Sequence, residues 1–217
     1  MNKPLLQIAM DNLELTSALS ILEDVGEIVD IIEVGTILLL AEGKKSISII
    51  KEKYKNKLIL GDAKIADAGN ILAKMLFEQK ADIITIICCA DIATIQGVIN
   101  ETKKFNKELQ IELTGYWTFE QAIEWKKIGV EQVVYHRSRD SQASGRTWQK
   151  SDIKKIKKLC DLGFKVTITG GVEISDLDLF KHLPIYIIIA GRAIRNSKNP
   201  RQAALLFQEA LEEKWKS

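Results

Sequence analysis

The sequence is poor in several residue types that mark whole classes of protein. It has 3 cysteines and 3 prolines in 217 residues, and only 6% of its residues are aromatic. Cys88 and Cys89 are adjacent and Cys160 stands alone, a spacing that fits neither a disulfide framework nor a zinc site. No Ser/Gly-rich linker or change of composition divides the chain. We therefore expect residues 1–217 to form one domain.

An excess of charge of one sign and long apolar runs are missing as well. Lys and Arg number 31 and Asp and Glu 29, which gives no case for nucleic acid or an anionic membrane as a partner. The apolar run Ile28–Leu40 is interrupted by Asp30 and Glu33 and is too short to span a membrane. The first ten residues are too short an apolar stretch for a signal peptide. With the sparse cysteines, these features predict a cytoplasmic protein.

What the sequence does contain is a regular alternation of two patterns. Short apolar runs rich in β-branched residues alternate with longer segments that are apolar at helical spacing. The eight runs begin at Leu5, Val29, Lys57, Asp82, Gln110, Gln132, Lys165 and Ile185. Strands alternating with helices imply parallel pairing through right-handed crossovers. Eight units of roughly 27 residues fit a (β/α)8 TIM barrel of the α/β class, with a doubly wound open sheet as the alternative.

Polar groups of chemical use collect at the ends of these runs. Seven of the eight runs end in such groups, namely Asp11, Glu33, Asp62 with Lys64, Glu112, His136, Thr169–Gly171 and Gly191–Arg192. In a TIM barrel the carboxyl ends of the strands surround the active site. The pattern therefore predicts a catalytic rim at that end of the barrel.

The third run continues into "ILGDAKIADAG", which places three charges after a buried strand. Asp62 and Lys64 are expected on one face of the strand, since side chains alternate with period two. Neighbouring carboxylates raise the pKa of a lysine, whereas a Schiff-base lysine needs a lowered pKa. Lys64 is thus predicted to act as a fixed cation. Taken alone, the motif could equally be a solvated cluster of salt bridges.

The segment "DAKIADAG" resembles the Asp-x-Lys-x-x-Asp motif of the orotidine-phosphate decarboxylase suprafamily. The segments "DIIEVGT", "TIICCAD", "IELTGYWT", "VVYHRSRDSQASG", "TITGG" and "IAGRAIR" look like its 3-keto-L-gulonate-6-phosphate decarboxylase branch. The resemblance extends from Leu6 to about Ala204. The hexulose-6-phosphate synthase branch shares the motif but differs around "IELTGYWT" and "HRSRD", so Glu112 and Arg139 favour the decarboxylase.

The resemblance implies Mg²⁺-dependent decarboxylation of 3-keto-L-gulonate 6-phosphate to L-xylulose 5-phosphate, as in ascorbate utilisation. Glu33 and Asp62 match the magnesium ligands, and Lys64 matches the lysine that faces an enediolate intermediate. Asp67 matches an aspartate that is contributed to the neighbouring subunit's site in a homodimer.

The other family positions are matched too. Asp11 matches a residue that contacts substrate hydroxyls. Glu112, His136 and Arg139 match residues around the carbon that receives a proton, which suits a histidine because its side chain ordinarily titrates near neutral pH. The phosphate-side residues are Thr169, Gly171, Gly191 and Arg192. Two alternatives stay open: a hexulose-6-phosphate synthase, and a catalytically silent barrel that binds a phosphosugar.

Overall fold

Eight parallel strands form a closed barrel in chain order. The computed structural model describes residues 2–138 and 142–216. The strands are β1 Leu5–Met10, β2 Ile31–Val34, β3 Leu58–Ile65, β4 Ile83–Ile87, β5 Glu108–Leu113, β6 Gln132–His136, β7 Lys165–Thr169 and β8 Ile185–Ile189. Pairing of β1 with β8 closes the barrel. Each predicted run holds one strand, so the TIM-barrel prediction is confirmed and the open-sheet alternative is wrong.

Helices cover the outside of the barrel. Those in the described residues are α1 Leu15–Val25, α2 Thr36–Glu42, α3 Lys45–Lys53, α4 Gly69–Glu78, α5 Ile92–Phe105, α6 Phe119–Lys127, α7 Lys150–Asp161, α8 Arg192–Arg195 and α9 Pro200–Lys214. Between β7 and β8 the chain forms only a short 3-10 helix, Ile174–Leu179. None of the helices described is long and apolar enough to cross a membrane.

The apolar core has two layers, one between strands and helices and a smaller one inside the barrel. The inner layer consists of Ala9, Ile31, Leu60, Ile83, Val134, Ile187 and Ile189. Several strands also carry fully buried polar side chains, such as Gln7, Gln110 and Thr167. The amide nitrogen of Gln110 donates to Gln132 Oε1 at 3.0 Å, which satisfies part of its hydrogen-bonding capacity inside the barrel.

The end of β3 departs from regular strand geometry. The register with β4 shifts between Gly61 and Ile65, and Lys64 has a φ of 45°. Its backbone N–H donates to Thr85 Oγ1 at 2.9 Å. A left-handed backbone at a residue with a side chain costs on the order of 1 kcal/mol or more and persists only where its surroundings fix it. The backbone at Lys64 is thus irregular, yet Asp62 and Lys64 face the same side of β3 as expected, and both line one pocket.

Candidate active site

A pocket of about 230 Å³ opens at the carboxyl ends of the strands. Ten of the predicted site residues line it, namely Asp11, Glu33, Asp62, Lys64, Glu112, His136, Thr169, Gly171, Gly191 and Arg192. They come from seven of the eight strand ends. Closure of the barrel brings these ends, which are far apart in the sequence, to one rim. Gly35 gives Asp11 its room, since a Cβ at that position would collide with the Asp11 carboxylate.

Of the predicted residues that the structure describes, Asp67 alone does not line the pocket. Asp67 is exposed after β3, and its carboxylate accepts a hydrogen bond from the N–H of Ala68 at 2.7 Å. Asp67 is thus free of its own barrel's pocket and its assignment to a neighbouring subunit stays a prediction. Arg139 lies outside the described residues.

Lys64 is the central cation of the pocket. Its Nζ lies 2.5 Å from Asp62 Oδ2 and 2.9 Å from Glu112 Oε2, and it donates to Thr36 Oγ1 at 3.0 Å. Burial lowers the pKa of Lys64, but the charges of Asp62 and Glu112 outweigh burial and raise that pKa well above its ordinary value. Lys64 is therefore held as an ammonium group, as its sequence context predicted.

Two hydroxyl groups hold Asp62. Thr36 Oγ1 donates to Asp62 Oδ2 at 2.6 Å, and Thr85 Oγ1 donates to Oδ1 at 2.7 Å. Burial raises the pKa of Asp62, but Lys64 and these hydrogen bonds outweigh burial, so the net pKa is lowered. Asp62 is only 5% exposed and remains a carboxylate. Its partners come from the first residue of α2, from β3 and from β4.

The pKa of Glu33 is shifted in the direction opposite to that of Asp62. It is 7% exposed, and Gln7 Nε2 donates to its Oε2 at 2.6 Å. Burial raises the pKa of Glu33, the charges of Asp62 and Asp11 raise it further, and the pKa ends well above its ordinary value despite Lys64. This side of the pocket therefore has more negative charge than its own cation neutralises.

Glu112 links the cation to the histidine. One carboxylate oxygen faces Lys64, and the other lies 2.5 Å from His136 Nδ1. His136 ends β6 and lines the pocket. Because Nδ1 is bonded to Glu112, Nε2 is the ring nitrogen left for a substrate. A single carboxylate thus orients both a fixed positive charge and a candidate proton donor.

The remaining wall is formed by the turns after β7 and β8. Gly170 and Gly171 both have positive φ, 110° and 64°, and Arg192 begins α8. Arg192 Nη2 donates to Gln142 Oε1 across this wall. Gln142 Oε1 therefore lies where an anionic oxygen of a ligand could accept a hydrogen bond from Arg192.

Sequence reasoning missed several pocket residues, namely Gln7, Thr36, Thr85, Gln110 and Gln142. Some could have been found, because Gln7 and Gln110 are polar residues inside apolar strand runs. Gln110 lies two residues before Glu112, and therefore on the same face of β5. Gln142 carries no such pattern, since its place depends on the path of a loop.

Fold and pocket together define a (β/α)8 barrel with a candidate active site at the carboxyl ends of the strands. The chain belongs to the Orotidine 5'-phosphate decarboxylase / HUMPS family, whose sequence profile matches residues 4–207. The resemblance inferred from the motifs is thereby confirmed.

The similar proteins include 3-keto-L-gulonate-6-phosphate decarboxylases and a 3-hexulose-6-phosphate synthase. The chain is 53% identical over 215 residues to the 3-keto-L-gulonate-6-phosphate decarboxylase UlaD of Escherichia coli, covering 99% of this chain and 100% of that protein. A crystal structure of KGPDC from Streptococcus mutans, solved as a complex with a ligand, has a TM-score of 0.97 at 38% identity, covering 99% and 100% of the two chains. The 3-hexulose-6-phosphate synthase from Salmonella typhimurium follows with a TM-score of 0.90 at 30% identity, covering 97% and 99%.

Proposed function

We propose that this protein decarboxylates 3-keto-L-gulonate 6-phosphate to L-xylulose 5-phosphate and carbon dioxide. The observation that supports this most is the Glu112 carboxylate, which holds Lys64 at 2.9 Å and His136 at 2.5 Å in one pocket. The reaction needs a fixed cation that stabilises the negative charge formed when carbon dioxide leaves. It then needs a donor that protonates the carbon from which carbon dioxide was lost. The choice of substrate rests on the decarboxylase to which this chain is similar over nearly its whole length.

Lys64 stabilises the negative charge that develops when carbon dioxide leaves. A β-keto acid loses carbon dioxide readily if the electrons can move onto the ketone oxygen, which gives an enediolate. A preorganised ammonium group facing that oxygen is worth more in a buried pocket than in water. The raised pKa of Lys64 keeps the group protonated, because Asp62 and Glu112 outweigh its burial, and so disfavours an imine.

We assign a magnesium ion to Glu33 and Asp62, which line the same pocket. The residues described include no cluster of three or more His, Cys, Asp or Glu side chains able to hold a metal, so protein ligands alone would not complete its shell. The mutual repulsion of Glu33, Asp62 and Asp11, which raises the pKa of Glu33 together with burial, supports a bound cation there. Glu33 and Asp62 would hold it through oxygen, as Mg²⁺ prefers. When bound, it would supply a second positive charge for the developing oxyanion.

Proton delivery is assigned to His136. Its bond to Glu112 fixes the ring, so that Nε2 can give a proton to the carbon that has lost carbon dioxide. We assign Arg139 to the same step from the match of its motif. Asp11, which lines the pocket near Glu33, is assigned to the substrate hydroxyls.

The phosphate is assigned to the turns after β7 and β8. Thr169, Gly171, Gly191 and Arg192 line this wall of the pocket. Loops after the last two strands of a TIM barrel often bind phosphate, and Arg192 offers a charged fork to it. Binding would exchange the Gln142 oxygen on Arg192 for a phosphate oxygen.

Completion of the site is assigned to a homodimer. Asp67 is exposed and does not line its own pocket, which agrees with a role in the site of a second copy. Two-fold symmetry would make the exchange reciprocal, so that each chain lends Asp67 to the other.

The experiment that tests the function compares two reactions of the purified protein. We expect carbon dioxide release from 3-keto-L-gulonate 6-phosphate that falls on chelation of divalent cations and returns with Mg²⁺. The competing reaction is condensation of formaldehyde with ribulose 5-phosphate, the hexulose-6-phosphate synthase reaction. Faster condensation than decarboxylation would overturn the proposal in favour of the synthase, and no turnover in either assay would favour a silent phosphosugar-binding barrel.

A further inference from the structure

Arg137 lies directly behind the turn after β7, outside the residues that line the pocket. Its Nε and Nη2 both donate to the carbonyl oxygen of Gly170, at 2.9 and 2.7 Å, and Nη2 also donates to that of Gly171 at 3.1 Å. Its Nη1 donates to the carbonyl oxygen of Arg146 at 3.2 Å. The planar guanidinium therefore holds two consecutive carbonyl groups of one turn.

These bonds determine where the next two N–H groups point. In a trans peptide the C=O and N–H bonds of one unit point in opposite directions. With the carbonyls of Gly170 and Gly171 fixed toward Arg137, the N–H groups of Gly171 and Val172 point away from it. Neither N–H has a hydrogen-bond acceptor among the described residues. Two successive free N–H groups form an anion-binding concavity, and Gly171 lines the pocket.

The turn and Arg137 are fitted closely to each other. A Cβ at Gly170 would collide with the backbone carbonyl and the Cβ of Arg137, and the φ of 110° favours glycine as well. On another side the guanidinium stacks on Trp148, with its Cζ 4.6 Å from the ring centroid. Arg137 is thus held in one orientation, and through it the peptide units of the turn are held too.

We propose that Arg137 is a positioning residue that presents the N–H groups of Gly171 and Val172 to the substrate phosphate. This role rests on the phosphate placement of the proposed function. Arg137 would act on affinity for the phosphate and not on proton delivery, since the His136 ring is held separately by Glu112. A lysine could replace its charge but not its fork, since one ammonium cannot hold two carbonyls in the same planar geometry.

The test measures phosphate binding in the variants Arg137→Met and Arg137→Lys. Inorganic phosphate, L-xylulose 5-phosphate and unphosphorylated L-xylulose are titrated calorimetrically into wild type and variants. We expect Arg137→Met to weaken binding of both phosphate-bearing ligands about tenfold, the loss of roughly one hydrogen bond, and Arg137→Lys to lie between. Binding of L-xylulose should stay unchanged, and KM should rise while kcat changes less than about twofold.

Arg146→Met serves as the matched control. Arg146 pairs with the buried carboxylate of Asp152 at 2.9 Å and does not line the main pocket, so its loss lowers stability without touching the Gly170–Gly171 turn through its side chain. It should bind phosphate like wild type. Equal weakening in Arg146→Met, or wild-type phosphate affinity in both folded Arg137 variants, would overturn the positioning role. If Arg137→Met does not fold, Arg137→Lys carries the test alone.

The phosphate titration keeps this proposal separate from the proposed reaction. A wild-type protein that binds inorganic phosphate but releases no carbon dioxide would contradict the reaction and leave Arg137 to be judged by its variants. A wild-type protein that binds no phosphate overturns the role of Arg137 outright.

Discussion

The two ends of the barrel use buried and half-buried carboxylates in opposite ways. At the amino ends of the strands, Asp82 accepts from the N–H of Ile59 at 2.9 Å, from Lys51 at 2.8 Å and from Lys107 at 2.6 Å. At the carboxyl ends, Glu33, Asp62 and Asp11 face one another around a pocket.

The pKa directions express this difference. Burial raises the pKa of Asp82, yet hydrogen bonds from Lys107, Lys51 and Ile59 outweigh burial and lower it. Burial also raises the pKa of Glu33, and there the neighbouring charges of Asp62 and Asp11 add to the effect. Two lysines compensate the charge of Asp82, whereas at the carboxyl ends Lys64 compensates Asp62 but leaves the pKa of Glu33 raised. The first arrangement stabilises the barrel and the second prepares it to bind a cation or a polar ligand.

The sharpest test of this comparison is one substitution made at both ends. Lys64→Met should lower turnover on the order of a hundredfold or more, the scale of losing one transition-state donor. Lys107→Met removes one of two lysines from Asp82 and should leave turnover within about twofold, while lowering the free energy of unfolding by about 1 kcal/mol. Steady-state kinetics and urea unfolding of both variants provide the measurement.

A second readout concerns the form in which Lys64 acts. Borohydride added during turnover should leave the mass of the protein unchanged, because a protonated ammonium forms no imine. A reduced substrate adduct on Lys64 would contradict its role as a fixed cation. Loss of turnover in Lys107→Met equal to that in Lys64→Met would contradict a special role for the lysine in the pocket.

His136 tests whether the uncompensated end also moves a proton. His136→Asn should slow product formation by about a hundredfold, the lower range for loss of a general acid. In heavy water, the product of His136→Asn should carry solvent deuterium at random in either of the two positions of the new CH₂ group. Nuclear magnetic resonance of the product reads the position of deuterium. Retained rate and retained stereochemistry together would remove His136 from the step.

Much of this comparison could be predicted from the sequence, but not all of it. The short apolar runs rich in β-branched residues placed Glu33, Asp62 and Glu112 at predicted strand ends, and parallel strands bring those ends together. The positive φ of Lys64 could not be predicted, because it depends on the register shift against β4 and on the hydroxyl of Thr85. The roles of Gln142 and Arg137 could not be predicted either, because their contacts depend on the geometry of loops. The role of Asp82 was also missed, because a charge before a strand is usually solvated.

A mixed-dimer experiment tests whether the pocket is completed by a second chain. Glu33→Ala and Asp67→Ala should each be nearly inactive, as each damages both sites of a two-fold dimer. In a mixed dimer one site carries both changes and the other neither. Random mixing gives about half mixed dimers, so activity should recover to roughly a quarter of wild type.

The two variants are unfolded together, refolded and assayed against each refolded alone, with mixed dimers verified by mass spectrometry. No recovery in verified mixed dimers would place Asp67 in its own barrel and remove the shared site. Chains that stay monomeric yet active would contradict the homodimer itself.

The smallest effect on activity is expected from the carboxylate at the compensated end. Asp82→Asn should leave kcat and KM unchanged and lower the free energy of unfolding at pH 7 by about 1–3 kcal/mol, as it leaves the charges of Lys51 and Lys107 without a counterion. Since the folded-state pKa of Asp82 is lowered by these lysines and the Ile59 N–H against its burial, its stabilisation is present above the unfolded pKa of roughly 3.9 and is lost as pH falls through the folded value. Urea unfolding of both proteins between pH 7 and pH 3 should therefore show a constant difference that shrinks only below about pH 4. A difference that persists unchanged to pH 3, or a loss of turnover in the folded variant, would show that the two ends of the barrel are not separated in this way.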